Sequence, residues 1–150
     1  MIKGSINIIE FDDSLLTHVE EMDEQHMRLV ELLNNVYELL KEGKREEAIE
    51  LFKREILSYV EYHLSEEEKF MEKIGYPELD QHRKVHELFR REIYHLAPYI
   101  EEGDPKAFRE ALSYAWGWLY NHITKTDKKY GINLCKRERA DMMNEQRKKE

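Results

Sequence analysis

Three clusters of helix breakers, Gly43, then Gly75 with Pro77, then Gly103-Asp104-Pro105, cut the chain into four segments. Each segment carries an apolar stripe whose steps alternate three and four. That is the repeat of one buried α-helix face. The first stripe is Val19, Met22, His26, Leu29, Leu33, Val36 and Leu40. The second is Ile49, Phe52, Ile56, Tyr59, His63, Glu67, Phe70 and Ile74. The third has His82, His86, Phe89, Ile93 and Leu96; the fourth has Phe108, Leu112, Ala115, Leu119 and His122. Thr17-His18-Val19-Glu20 has the form of a capping box, and Asp104 stands where a helix cap is expected before Pro105. Pro98 is expected to kink or end the third helix, because it lacks an amide donor.

Short connections join neighbouring helices antiparallel. The expected fold is therefore all-α: an up-down-up-down four-helix bundle forming one domain over residues 1–150. An N-terminal arm covers 1–16, the bundle about 17–133, and a charged C-terminal tail about 134–150. No segment reads as a strand, and no internal repeat or low-complexity stretch appears. Charged residues make up 37% of the chain, with six glycines and three prolines, which suits long helices with solvated outer faces. The net charge of −8 argues against nucleic acid as a partner. The basic residues near the end, from Lys136 to Lys149, are interrupted by acids and read as a solvated tail. One cysteine, Cys135, excludes an internal disulfide and fits a reducing cytoplasm. Met1 to Glu10 resembles neither a signal peptide nor a membrane span, so a cytoplasmic protein with no membrane partner is expected.

The inward stripes hold residues that a core normally excludes. His26, His63, Glu67, His82, His86 and His122 all occupy core positions, where an unpartnered ionisable group is costly. One such histidine reads as a hydrogen-bonded core residue; five of them on four stripes do not. Their heights agree. His26 lies 17 residues before Gly43 and His63 lies 20 after it. His86 and His82 lie 17 and 21 before Gly103, and His122 lies 19 after it. At a rise of about 1.5 Å per residue, these levels coincide within about one helical turn. Convergent imidazoles with carboxylates suit iron, zinc, copper or nickel. The candidate ligands are His26, His63, Glu67, His82, His86, His122 and Asp127. His63 and Glu67 share a helix face, as do His82 and His86. His122 and Asp127 are five residues apart, which a regular helix splays by about 140°, so Asp127 reaches the others only through an irregular or bulged turn. Seven ligands exceed the needs of one ion. Around two octahedral ions, five imidazoles, two bridging carboxylates and one bridging oxygen fill all but one of about twelve positions.

The segments Val19 to His26, His63-Leu64-Ser65-Glu66-Glu67, His82-Arg83-Lys84-Val85-His86 and Trp118 to Asp127 resemble the hemerythrins, particularly their single-domain bacterial and archaeal kind. The likeness covers roughly 11–130. It implies a non-haem di-iron centre, two Fe ions with a bridging oxo or hydroxo group, that binds dioxygen reversibly. It implies that His82, His86 and His122 hold one iron, His26 and His63 the other, and that Glu67 and Asp127 bridge. It also implies that the vacancy falls on the iron with two histidines. Phe11 stands where the family leads one to expect tryptophan, His18 where a small residue is common, and Pro98 is unusual within the third helix. Trp116 and Trp118 read as core filling, but Trp118 lies four residues before His122 and is also placed to wall an oxygen pocket. The tyrosines read mostly as half-buried packing, His18 and His95 as surface residues, and Cys135 as inert.

The resemblance implies an oxygen carrier, store or delivery protein, not an enzyme. The alternatives are a di-iron oxidase or an enzyme handling peroxide or nitric oxide, and an oxygen or redox sensor acting through a separate partner. Oxidative di-iron sites in helical bundles are carboxylate-rich. Neutral histidines dominate here, which favours reversible binding.

Overall fold

The computed structural model describes residues 13–149. The earlier part of the arm, Phe11 included, lies outside the described residues. The described residues form an all-α four-helix bundle. Its elements are a 3₁₀ turn Asp13–Leu15 and the helices α1 (Glu20–Lys41), α2 (Arg45–Leu51), α3 (Leu57–Lys73), α4 (Leu79–Glu101), α5 (Pro105–Asn121) and α6 (Lys128–Lys149). A π-helical turn, Phe52–Ile56, joins α2 to α3, and a second, His122–Asp127, joins α5 to α6. The four rods are thus α1, α2 with α3, α4, and α5 with α6, and rods adjacent in sequence pack on one another.

The three breakers act alike. Gly43, Gly75 and Gly103 have φ of +78°, +65° and +87°, the left-handed conformation that ends a helix and that glycine adopts without strain. In each case the next amide reaches back across the last turn: Lys44 to Leu39, Tyr76 to Met71 and Asp104 to Tyr99, at 2.8, 2.9 and 3.0 Å. Asp104 caps α5, its Oδ1 accepting from Lys106 N at 2.9 Å and Ala107 N at 3.4 Å.

Two expectations need correction. Thr17 does not form a capping box with Glu20. The helix starts at Glu20 with Val19 as its cap residue and no side-chain cap bond. Asp23 does the reaching back instead: Oδ1 accepts from Thr17 N and Thr17 Oγ1, both at 2.7 Å, and Oδ2 from His18 N at 3.0 Å. Second, α4 does not end at Pro98 but runs three residues past it. So close to a helix end, proline forfeits a single backbone bond. The charged tail, for which no conformation was expected, is helical. From Cys135 to Lys148 every residue of α6 is exposed, so the helix extends as a solvated rod. The root of that rod is fixed by Gly131, where an added Cβ would lie 2.0 Å from Thr17 O. A side chain there would collide with the backbone at Thr17.

The core is divided. A large cluster includes Leu29, Leu33, Val36, Phe52, Ile56, Leu64, Phe89, Phe108, Leu112 and Leu119. A smaller one holds Met22, Met71, Tyr76 and Tyr130. On α1 and α3 the candidate ligands fall between the two: His26 between Met22 and Leu29, and His63 and Glu67 around Leu64 and before Met71.

Candidate metal centre

All seven candidate ligands meet in the gap between the two apolar clusters. His26 comes from α1, His63 and Glu67 from α3, His82 and His86 from α4, and His122 and Asp127 from the two ends of the second π-helical turn. None is more than 3% exposed. The π turn supplies the irregularity that a five-residue spacing demands. A wider turn with i→i+5 bonding returns Asp127 to the face of His122, and Asp127 Oδ1 lies 2.8 Å from His122 Nε2.

The seven side chains form two groups whose ligand atoms lie within 4.8 Å of one another: Glu67, His82, His86 and His122, and His26, His63, Glu67 and Asp127. Each carboxylate divides its oxygens between the groups. Glu67 Oε1 lies 3.1, 3.0 and 3.3 Å from Nε2 of His82, His86 and His122. Its Oε2 lies 3.4 Å from Nε2 of both His26 and His63. Asp127 Oδ1 faces His82 at 3.0 Å as well as His122, and Oδ2 faces His26 at 3.0 Å. All five rings turn Nε2 inward.

This arrangement is poorly satisfied by protein atoms alone. His26 Nε2, His63 Nε2 and both Asp127 oxygens are buried without a hydrogen-bond partner, which is expensive unless something else is bound. His82 and His86 each bring Nε2 to about 3.1 and 3.0 Å from His122 Nε2. Neighbouring ligands around an octahedral ion with bonds of about 2.1 Å are about 3.0 Å apart. The donor set and its spacing fit two cations.

The electrostatics without a cation are those of a strained network. Burial opposes charge on His26 and His122, but Asp127 and Glu67 favour it more, raising them to about 9 and about 10. His82 is raised for the same reasons, whereas burial dominates at His63 and lowers it. Burial also disfavours the charged forms of Glu67 and Asp127. The surrounding imidazoles overcome it and hold both carboxyls well below their usual range.

Outer partners were not legible in the sequence. Tyr130, fully buried, donates to Glu67 Oε2 at 2.8 Å, so this tyrosine is more than packing. His63 Nδ1 lies 2.6 Å from Gln25 Oε1, and His86 Nδ1 lies 2.7 Å from Glu68 Oε2. The only available signal was adjacency: Gln25 precedes His26, Glu68 follows Glu67, and Tyr130 sits three residues after Asp127. Trp118 reaches the centre by stacking on His122, with ring centres 4.2 Å apart and planes 14° apart. It also meets His86 edge-on at 6.2 Å and stacks on Phe89 at 4.2 Å. Its ring contacts are thus with the three-histidine group. His18, exposed, has φ +69°, a conformation histidine tolerates better than most residues.

The "Hemerythrin HHE cation binding domain" family matches residues 17–131. The chain belongs to the hemerythrin family. A bacteriohemerythrin of Pseudomonas aeruginosa (strain LESB58) is 32% identical over 120 residues, covering 80% of this chain and 77% of its own length. One from Clostridium acetobutylicum is 30% identical over 117 residues, 75% of this chain and 90% of its own. The myohemerythrin of Theromyzon tessulatum is 27% identical over 121 residues, 81% of this chain and 89% of its own. Among the described residues, no helix is long and apolar enough to cross a membrane.

Proposed function

We propose that this hemerythrin-family chain holds a non-haem di-iron centre and binds dioxygen reversibly, as a carrier, store or delivery protein. The observation that carries the reading is the splitting of both carboxylates, Glu67 and Asp127, between a three-histidine and a two-histidine group. One ion would be held by His82, His86 and His122, the other by His26 and His63, with Glu67 and Asp127 between them. A ferrous pair held by these residues would supply the two electrons that dioxygen takes up on binding.

The chain's own residues do the rest. Five imidazoles contribute no formal charge when neutral, so the pocket is less anionic than a carboxylate-rich oxidative site; this favours binding over catalysis. The clusters of Leu29, Leu64 and Ile123 on one side and Met22 and Met71 on the other exclude bulk water, which protects a reduced centre. Tyr130 holds Glu67 Oε2 in place. Trp118 backs His122 and is assigned to the wall on that side of the centre. A reducing, cytoplasmic setting accords with a chain whose one cysteine, Cys135, is free and exposed.

Rapid mixing of the reduced, iron-loaded protein with dioxygen tests the reading. A stable oxygenated spectrum that reverses under vacuum is expected, with two irons per chain by elemental analysis. Steady turnover would make the protein an enzyme instead. A single tightly held zinc, or no metal, would overturn the di-iron assignment.

A further inference from the structure

The five imidazoles are not held alike at their outer nitrogens. His86 Nδ1 is 2.7 Å from a carboxylate oxygen of Glu68, and His63 Nδ1 is 2.6 Å from the amide oxygen of Gln25. Nδ1 of His26 and of His122 is buried without a hydrogen-bond partner. An ionised carboxylate only accepts, so His86 carries a proton on Nδ1, and Nε2 is the nitrogen left to bind an inner cation. Gln25 imposes the same tautomer on His63 without a charge. Each histidine group therefore has a ring pinned from outside, and the anion is on the three-histidine side.

Glu68 is itself clamped. Arg90 lies one turn beyond His86 on α4, and Glu61 lies two turns before Glu68 on α3. Arg90 grips Glu61 with two bonds, Nε to Oε1 at 2.9 Å and a terminal nitrogen to Oε2 at 3.0 Å. Its other terminal nitrogen donates to Glu68 Oε2 at 3.2 Å and to Glu87 Oε1 at 2.6 Å. A two-point grip fixes the plane of the guanidinium, and the guanidinium then fixes the oxygen that accepts from His86. The Arg90 and Glu68 side chains are only 15% and 18% exposed, so solvent screens this chain of bonds less than a surface ion pair.

We infer that Glu68, clamped by Arg90, is a positioning residue that makes the place between His82, His86 and His122 the tighter of the two metal positions. The inference rests on the ligand assignment proposed above. A carboxylate accepting the outer N–H makes the inner imidazole nitrogen a stronger donor and fixes the ring's orientation. An amide does the second and little of the first. Groups that touch no ion, one residue away from the ligands Glu67 and His26, therefore add to the asymmetry that three histidines against two already create.

Titration of the metal-free protein with cobalt(II) against a competing chelator tests this. The parent should bind two ions with unequal affinity. Glu68→Ala should weaken the stronger step by about 10–100-fold, the usual cost of losing such a partner, and leave the weaker step unchanged. In the metal-free protein, nitrogen-15 shifts of His86 should move from the Nδ1–H form to a mixture of tautomers. Glu68→Gln, which keeps an acceptor but not the charge, should restore the tautomer and only part of the affinity. Gln25→Ala should act on the weaker step instead. If Glu68→Ala does not fold, Arg90→Gln carries the test by weakening the same step to a lesser degree. Equal loss at both steps, or no loss with an unchanged His86 tautomer, overturns the inference while leaving the ligand assignment standing. A parent that binds no cobalt overturns the ligand assignment and this inference with it.

Discussion

Phe52–Ile56 and His122–Asp127 are both π-helical turns set into otherwise α-helical rods, and the widened turn does different things in the two places. The first buries Phe52 and Ile56 in the large apolar cluster, where Phe52 meets Phe108 edge-on at 5.7 Å. The irregular backbone is offset there by packing that exists in the folded chain itself. The second buries His122, Ile123 and Asp127. Its two polar ends lie 2.8 Å apart, yet both Asp127 oxygens lack a hydrogen-bond partner. The first turn is complete without a ligand and the second is not. The contrast extends to α3, where His63 and Glu67 present a comparable imidazole and carboxylate four residues apart on a regular helix. One site therefore draws on two helical periods.

Exchange of the buried side chains should give the largest separation between the two turns. Asp127→Ala removes a carboxylate shared by both histidine groups, and iron content should fall from two per chain to one or none. Phe52→Ala should leave iron near two while lowering the unfolding free energy by about 3–5 kcal/mol through the cavity it creates. Elemental analysis beside denaturant unfolding of both variants checks this. Equal iron loss in Phe52→Ala would erase the distinction.

Acidity sharpens it next, because the second turn buries the ionisable His122 and Asp127 whereas the first buries only Phe52 and Ile56. In the metal-free protein His26 and His122 are raised to about 9 and about 10. A histidine raised in the folded state contributes stability that is full below its unfolded value of about 6.5 and is lost as pH climbs through the folded value. Glu67 and Asp127 are lowered, so their contribution is present above about pH 4 and lost as pH falls. His63, lowered by burial, works against the acid side. The metal-free melting temperature should peak between about pH 5 and 6.5 and decline toward pH 10. Metal loading should reverse the alkaline decline, because ligating imidazoles are neutral, and acid below about pH 6 should release iron and lower the melting temperature. Thermal melts of both forms across pH decide it. A metal-free protein that gains stability toward pH 9 would contradict the raised imidazoles.

A shorter second turn should have a smaller effect. Deleting Thr124 brings Asp127 to four residues from His122, a spacing that an ordinary α-helical turn places on one face. Near-normal iron content is expected, since the wide turn serves the five-residue spacing and not the ion. Loss of iron as complete as in Asp127→Ala would show that the π geometry itself is required.

The smallest effect is expected at Trp118, which stacks on the first residue of the second turn. Trp118→Ala should keep iron near two and shorten the lifetime of the oxygenated form, read as the autoxidation rate. An unchanged rate would reduce Trp118 to packing for His122.

The helix count, the turns at Gly43, Gly75 and Gly103, and the common level of the histidines were all legible, because each rests on local periodicity and on distance along the chain. His63 with Glu67 and His82 with His86 were legible as pairs for the same reason. The first π turn was not: Phe52, Ile56 and Tyr59 step by three and four like any α-helical stripe, so nothing local marks the widening. Asp127 announced its own irregularity through a five-residue spacing, but the family resemblance was needed to retain it. Thr17 misled, since a capping-box pattern ignores the competing carboxylate of Asp23.

By itself, then, the sequence determined an α-helical bundle and six residues able to meet at one height in its core, with Asp127 added by the family resemblance. Only the tertiary structure decided which oxygen of Glu67 and of Asp127 faces which histidines, that Trp118 stacks on His122, and that Glu68, Gln25 and Tyr130 back the centre. Those choices depend on how each rod is rotated about its axis and on rotamers fixed by neighbours far away in sequence: Glu68 with His86, His63 with Gln25, and Tyr130 with Glu67 are separated by 18, 38 and 63 residues. A helical repeat carries a residue's face and height, but packing between rods sets the partner it meets there.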